Sequence, residues 1–220
     1  MEDIRHICLP MTEEVARSLH AGDMVMLDGE IVLTAGLPTH HRMLQAIREG
    51  TPLPRDLTGA SLLHLGSYNR ETEGGFEVLY INPTTSTRFN AIMPELIRSL
   101  KLCAVGGKGG LDAACVVAMQ EVGCVYFAFV GGGSPLLSDA IESVVSVEWN
   151  DLVSHYRLVT LRVRGLGPVT VGIDAHGRSL YDDLAAQANA RLPAIMADLA
   201  APRGASMSQP ATDKRGGGAQ

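Results

Sequence analysis

From Leu102 onward the chain alternates short apolar runs with helix-compatible segments, and this alternation constrains the fold most. Leu102–Val105 reads as a strand, Leu111–Glu121 as a helix, Cys124–Val130 as a strand and Pro135–Ser143 as a helix. Val144–Glu148, Tyr156–Val163 and Val169–Ile173 read as strands, and Asp182–Leu199 as a long helix rich in Ala and Leu. The first half is richer in strands. Met24–Leu27 and Ile31–Thr34 are joined through Asp28-Gly29, a favoured turn dipeptide, and read as a hairpin. Ser61–Leu65 and Phe76–Ile81 are further strands; Thr12 opens a short helix over 12–20, and His40–Glu49 and the region around Ile92–Leu100 are helical. The pattern predicts an α/β domain, layered around a mixed sheet, over residues 1–201.

Composition narrows the function. Twenty-four glycines and only 5% aromatic residues suit an α/β protein whose loops approach ligands closely. A net charge of −6 and the lack of a Lys/Arg run argue against general nucleic-acid binding, so any anion site is local. No apolar stretch reaches the ~20 residues of a membrane span, and Met1–Arg5 does not open a signal peptide, so a cytoplasmic location is expected. Cys8, Cys103, Cys115 and Cys124 form no CxxC pair and read as free, mostly buried thiols rather than metal ligands. Pro202–Gln220 is rich in Ser, Gly, Pro and Gln and reads as a disordered tail.

Two loops concentrate chemistry. Thr84-Thr85-Ser86-Thr87-Arg88 follows the strand Phe76–Ile81 and leads to a helix. A capping residue would need one hydroxyl; four in a row beside a guanidinium suit an anion. Gly106-Gly107-Lys108-Gly109-Gly110 joins Leu102–Val105 to the next helix; its glycines admit close backbone approach and Lys108 supplies a point charge. The GxxxxGK[ST] spacing of a nucleotide loop is absent. Two strand-to-helix loops can converge at one end of a sheet, and two cations with hydroxyls suit a small carboxylate.

Together these residues resemble a known family. Pro83-Thr84-Thr85-Ser86-x-Arg88 followed by Gly107-Lys108-Gly109-Gly110 is similar to the β subunit of the iron–sulfur hydro-lyases, the class I fumarase and L-tartrate dehydratase family. Gly22-Asp23, His64-x-Gly66, Gly131-Gly132-Gly133 and Ile173-Asp174-x-His176-Gly177 match in order and spacing, across about residues 15–190. The resemblance implies a swivelling β/β/α domain and the addition or removal of water on a small hydroxy or unsaturated dicarboxylic acid such as fumarate, malate or tartrate. It implies a [4Fe-4S] cluster held by an α-subunit partner, whose open iron acts as a Lewis acid, in a heterodimer or dimer of heterodimers. By motif match Thr84 is the general base. Arg88 and Lys108 bind substrate carboxylate, with Thr85, Ser86, Gly107 and Gly109 completing the cradle. An unassisted threonine is a poor base near neutral pH, so neighbouring cations must stabilise its alkoxide or a relay must take the proton.

One departure stands out. The family carries a Gly/Cys-Arg-Asp segment before the helix that contains His41, whereas this chain has Thr34-Ala35-Gly36-Leu37-Pro38-Thr39-His40-His41-Arg42, with apolar Ala35 or Leu37 where the Arg belongs. Arg42, or His40 with His41, could reach in from the helix; the substrate could differ at that end; or activity could be lost. The favoured expectation is a related but different hydroxy acid. His40-His41 is a poor chelate because adjacent helical residues diverge by ~100°, so one capping and one exposed histidine are expected. His176 is a secondary candidate, with a locally bonded turn residue as the blander reading, and His64 is open between the two. The rival reading is a small-carboxylate binding protein that has the same cations and no cluster partner.

Overall fold

The computed structural model describes residues 4–200; the expected tail from Pro202 lies outside them. The chain divides into two units, Met1–Asp183 and Leu184–Gln220. The first holds nine strands: β1 (Arg5–Leu9), β2 (Met24–Leu33), β3 (Ser61–Leu63), β4 (Leu65–Thr72), β5 (Gly75–Pro83), β6 (Ala104–Gly107), β7 (Val125–Ala128), β8 (Ile141–Glu148) and β9 (Leu158–Ile173). Its helices are α1 (Glu13–Arg17), α2 (Leu37–Glu49), α3 (Met93–Leu100), α4 (Ala113–Val122) and α5 (Ser134–Ser138); α6 (Leu180–Ala200) begins here and continues into the second unit. None of the α6 side chains is buried.

The sheet is mixed, as the alternation predicts. Strands β1, β2, β3, β6 and β7 run parallel, in that order, and β9 runs antiparallel to β7 and β8. Strand β9 also pairs antiparallel with β2 along most of its length, so β2, β3, β6, β7 and β9 close into a ring. Alternation of side chains across each strand divides the core in two. Ile31, Leu33, Leu63, Val125 and Phe127 lie on one face. Val32, Leu62, Val105 and Tyr126 lie on the other, against Met43, Phe89, Leu96, Ile97 and Met119 from the helical layer. Helix α1 starts at Thr12, whose hydroxyl accepts the Val15 N–H.

Several local expectations are corrected. Asp28-Gly29 is not a hairpin turn; β2 runs straight through it. Gly29 takes φ +99°, the pairing with β9 slips between Leu27 and Gly29, and a Cβ there would lie 2.2 Å from the Leu9 carbonyl oxygen on β1. The dipeptide therefore marks a bulge in a long strand squeezed by its neighbour. The strands read over Tyr156–Val163 and Val169–Ile173 are joined in the single strand β9, which begins at Leu158 after the 3-10 turn Ser154–Tyr156, and residues 141–143 belong to β8 rather than to a helix. Phe76–Ile81 falls within β5 as expected, whereas strand β1, a short edge strand, and β4, whose last three residues are exposed, escaped the sequence reading.

Candidate functional site

The hydroxyl-rich loop and the glycine-rich loop meet at the C-terminal ends of β5 and β6. Strand β6 already includes Gly106 and Gly107, so the connection proper begins at Lys108. Thr85 and Lys108 form a parallel bridge. The Lys108 N–H donates to the Thr84 carbonyl (3.0 Å) and the Ser86 N–H to the Lys108 carbonyl (2.9 Å). The chain before β4 joins the same layer: the Thr84 N–H donates to the His64 carbonyl (2.8 Å), and the His64 N–H to the Gly106 carbonyl (2.7 Å). Segments distant in sequence are thus stitched together by main-chain bonds, as a sheet would join them.

Side chains divide by direction. The Arg88 guanidinium donates to the Thr84 hydroxyl and lies 5.7 Å from the Phe89 ring centroid. Thr84 and Thr85 are half-buried, and Arg88, Lys108 and Gly109 are exposed. Ser86, by contrast, is fully buried, with its Oγ 2.9 Å from His64 Nδ1 and 2.8 Å from the Tyr126 hydroxyl. It is therefore a structural brace and not a hydroxyl offered to solvent. Gly107 explains itself in the same way: a Cβ there would sit 2.3 Å from Ser86 Oγ and 3.1 Å from the Thr84 carbonyl oxygen. Its lack of a side chain lets the loops close on each other. Thr85 begins the short 3-10 turn Ser86–Phe89 without a side-chain cap, so the hydroxyl run does not serve as a helix cap.

Charge balance points to an anion. Most arginines face a carboxylate: Arg42 with Asp151, Arg48 with Glu95, Arg98 with Glu121, Arg162 with Glu30. Arg88 and Lys108 make no ion pair among the described residues. Two cations, a hydroxyl and a glycine-lined turn on one exposed ledge have the chemistry to accept a carboxylate. Gly131 lies alongside, 3.6 Å from Lys108 Cδ to where its Cβ would be.

The remaining candidates lie buried beneath this ledge or turn to partners of their own. His40 is wholly buried and not a capping residue; its Nδ1 donates to the Gly36 carbonyl (2.7 Å), and its ring stacks on Phe89 at 4.0 Å. Burial, opposed in part by that hydrogen bond, pulls its pKa down to about 4. His64 lies 5.2 Å away, centroid to centroid, and is held well below the usual histidine range by burial, His40 and the Arg88 cation. Both rings are neutral at physiological pH. His41 is exposed. Arg42 is engaged by both Asp151 oxygens (2.9 and 2.7 Å) and lies 5.5 Å from the Trp149 ring. Neither Arg42 nor His40 therefore supplies the missing arginine.

His176 is elsewhere. Ile173 pairs with Tyr126 on antiparallel β9, whereas Gly107 pairs with Ala128, so the chain after Ile173 leaves from the opposite end of the sheet. There His176 Nε2 donates to the Arg17 carbonyl (2.9 Å), and its N–H donates to Asp174. The local-turn reading describes it, and its sequence match to a functional motif does not bring it to the ledge. Tyr126, which sequence reading passed over, is the reverse case: a phenol in an apolar strand, aimed beneath both loops. The signal was a polar-tipped residue at a core position.

The cysteines are dispersed. Cys103, Cys115 and Cys124 are buried and Cys8 is exposed. Burial raises the Cys103 thiol to about 11 and pushes Cys124 well above its ordinary value. Among the described residues no three His, Cys, Asp or Glu side chains converge as a ligand set. Thiolates, which an iron–sulfur cluster needs, are disfavoured here, so this chain's described residues do not fit such a group. No described helix is long and apolar enough to cross a membrane.

The family to which this fold belongs is shown by likeness to known proteins. The family described as Fumarase C-terminus matches residues 1–184, and the chain belongs to that family. Among its relatives is a protein of Methanocaldococcus jannaschii named "Putative L(+)-tartrate dehydratase subunit beta", 30% identical over 175 residues, covering 79% of this chain and 89% of that protein. The L(+)-tartrate dehydratase subunit beta of Escherichia coli K12 is 29% identical over 171 residues, 78% of this chain and 83% of its own. A Geobacillus stearothermophilus protein named "Putative fumarate hydratase class I" is 32% identical over 176 residues, covering 80% of this chain but 33% of that longer protein.

Proposed function

We propose that this chain is the β subunit of a hydro-lyase that adds or removes water on a small hydroxy or unsaturated carboxylic acid. The single observation that carries the reading is the ledge itself: the Arg88 guanidinium on the Thr84 hydroxyl, with Lys108 bridged to the same segment and no carboxylate answering either cation among the described residues. Arg88 and Lys108 hold a substrate carboxylate. Thr84 takes or returns the proton at carbon, and the neighbouring guanidinium lowers the cost of the threonine alkoxide. The glycines exclude side chains from the space a substrate would enter.

Because the cysteines of this chain do not fit a cluster, the [4Fe-4S] group is assigned to an α subunit, where it would supply Lewis-acid polarisation of the substrate hydroxyl. No step by this chain's residues depends on holding it. The departure at Ala35–Leu37 favours an acid that differs from fumarate and L-tartrate at one end: Arg42 is tied to Asp151 and His40 to Gly36, so neither stands in. Loss of a carboxylate clamp is worth about 2–5 kcal/mol, enough to change the preferred substrate.

The test is to co-express this chain with an α-type partner and assay the brown, oxygen-sensitive complex against a panel of hydroxy and unsaturated di- and monocarboxylic acids. Turnover that requires both chains is expected. Ordinary rates on fumarate or L-tartrate would sink the altered-substrate part. A colourless chain that binds carboxylates and never gains turnover would instead support the binding-protein alternative.

A further inference from the structure

Beneath the ledge one buried hydroxyl meets Ser86, the residue whose main chain joins the two loops. Tyr126 is fully buried in β7, flanked by Val125 and Phe127. Its hydroxyl lies 2.8 Å from Ser86 Oγ, two residues from both Thr84 and Arg88, and the Ser86 N–H donates to the Lys108 carbonyl (2.9 Å). Ser86 Oγ continues to His64 Nδ1 (2.9 Å), and the His64 carbonyl accepts the Thr84 N–H (2.8 Å). We infer that Tyr126, acting through Ser86 and His64, is a positioning residue that holds Thr84 and the Lys108 turn in one arrangement; the inference rests on the hydro-lyase reading of the ledge.

The proton count closes on this assignment. With Tyr126 donating to Ser86 Oγ, Ser86 donates to His64 Nδ1 and the His64 proton lies on Nε2. His40 donates through Nδ1 to Gly36 and so carries a bare Nε2. Both Nε2 atoms are buried without a hydrogen-bond partner, one a donor and the other an acceptor, in rings 5.2 Å apart. The opposite orientation would put two lone pairs in the same apolar layer and is disfavoured. A phenylalanine would fill the Tyr126 site equally well, so the hydroxyl is there for its bonds. The bridge between Thr85 and Lys108 sets the spacing of the loops, and the Tyr126 hydroxyl sets their depth against the sheet. A proton-transfer group must be held this closely because a displacement of about 1 Å can cost about a hundredfold in rate.

The experiment compares Tyr126→Phe, Ser86→Ala and, as the same chemical change on the exposed β5 strand, Tyr80→Phe, each in the complex with the α partner. For Tyr126→Phe and Ser86→Ala, kcat should fall about tenfold to a hundredfold with KM within about threefold. Amide exchange should accelerate in residues 84–88 and 108–110 and not in Leu158–Val163, while Tyr80→Phe changes neither readout. Unchanged kcat, unchanged loop exchange, or exchange that accelerates uniformly across the sheet would each overturn the inference. Failure of the underlying reading looks different: wild-type complex inactive on every acid, or Thr84→Ala as active as wild type. In that event the loop-specific exchange still decides whether Tyr126 holds the loops.

Discussion

At one end of the closed sheet, Asp174 accepts backbone N–H groups from Ala21, His176 and Arg178, and His176 donates to the Arg17 carbonyl. Burial alone would raise the Asp174 carboxyl, but those N–H groups outweigh it and hold its pKa low. Arg178 closes the turn on Asp183. At the other end, the main chain is just as well bonded, yet Arg88 and Lys108 reach solvent with no carboxylate partner among the described residues. Both ends carry a histidine, charges and glycines. The difference is that one set is satisfied by its own chain and the other has no carboxylate partner among the described residues. Unanswered charge on a well-braced backbone marks the site, whereas residue type alone does not.

The largest effect expected from this contrast is at Thr84. Thr84→Ala in the assembled complex should reduce kcat by about 10²–10⁴-fold, the usual range for removing a positioned proton-transfer group, with a smaller change in KM. Steady-state kinetics on the best acid of the panel checks it. Turnover within a few-fold of wild type would remove Thr84 as the base and reduce the ledge to a binding surface.

Next comes pH. The site end buries its histidines neutral, while His176 at the turn end is exposed. His40 is lowered from an ordinary 6.5 to about 4, and His64 moves in the same direction. Because the unfolded chain binds the proton first, stability is full above about pH 6.5 and falls as pH drops towards 4. For His40 alone the loss is on the order of 3 kcal/mol. Urea unfolding at pH 7 and pH 4.5 measures it, and His40→Phe should flatten the difference in that window. An unchanged pH dependence in the variant would show that His40 titrates normally.

Much of this contrast was legible in the sequence, and the failures share a cause. The strand–helix–strand–helix order from Leu102 through α5, the Thr12 cap and the meeting of the two loops followed from local patterns. Asp28-Gly29 misled because a turn dipeptide is also what a bulge needs, and only the Leu9 carbonyl pressed against Gly29 distinguishes the two. Ser86 looked like its three hydroxyl neighbours, and its burial depends on His64 and Tyr126, both distant in sequence. Arg42 was a candidate replacement until Asp151, over a hundred residues away, proved to hold it. Each of these three misses concerns a partner distant in sequence, which periodicity cannot supply.

A smaller effect tests how tightly the loops are packed. Gly107→Ala places a methyl 2.3 Å from Ser86 Oγ and 3.0 Å from His64 Cβ, on a backbone at φ +153°. The neighbours include main chain and cannot simply rotate away, so a loss of about 1–3 kcal/mol is expected, read as a lowered thermal midpoint. Gly131→Ala is the comparison: its nearest neighbour is the flexible Lys108 Cδ at 3.6 Å, and its stability should be close to wild type. Equal midpoints for the two variants would mean that the loops are not closed on each other at Gly107.

The smallest effect is expected at the other end, and it bears most directly on the comparison. His176→Ala removes the hydrogen bond to the Arg17 carbonyl and the stack on His20, whose ring lies 5.3 Å away. Both rings are exposed, so the loss should be within about 1 kcal/mol. The turn itself persists, because Asp174 is bound by backbone N–H groups that the substitution leaves in place; the His176 N–H is one of them and belongs to the main chain. Turnover of the complex should therefore stay within about twofold of wild type, since nothing at this end reaches Thr84 or Lys108. A drop of tenfold or more at unchanged stability would break the contrast: it would mean that the partner subunit brings its share of the chemistry to the Asp174 turn, and that a fully satisfied turn can still be a working surface.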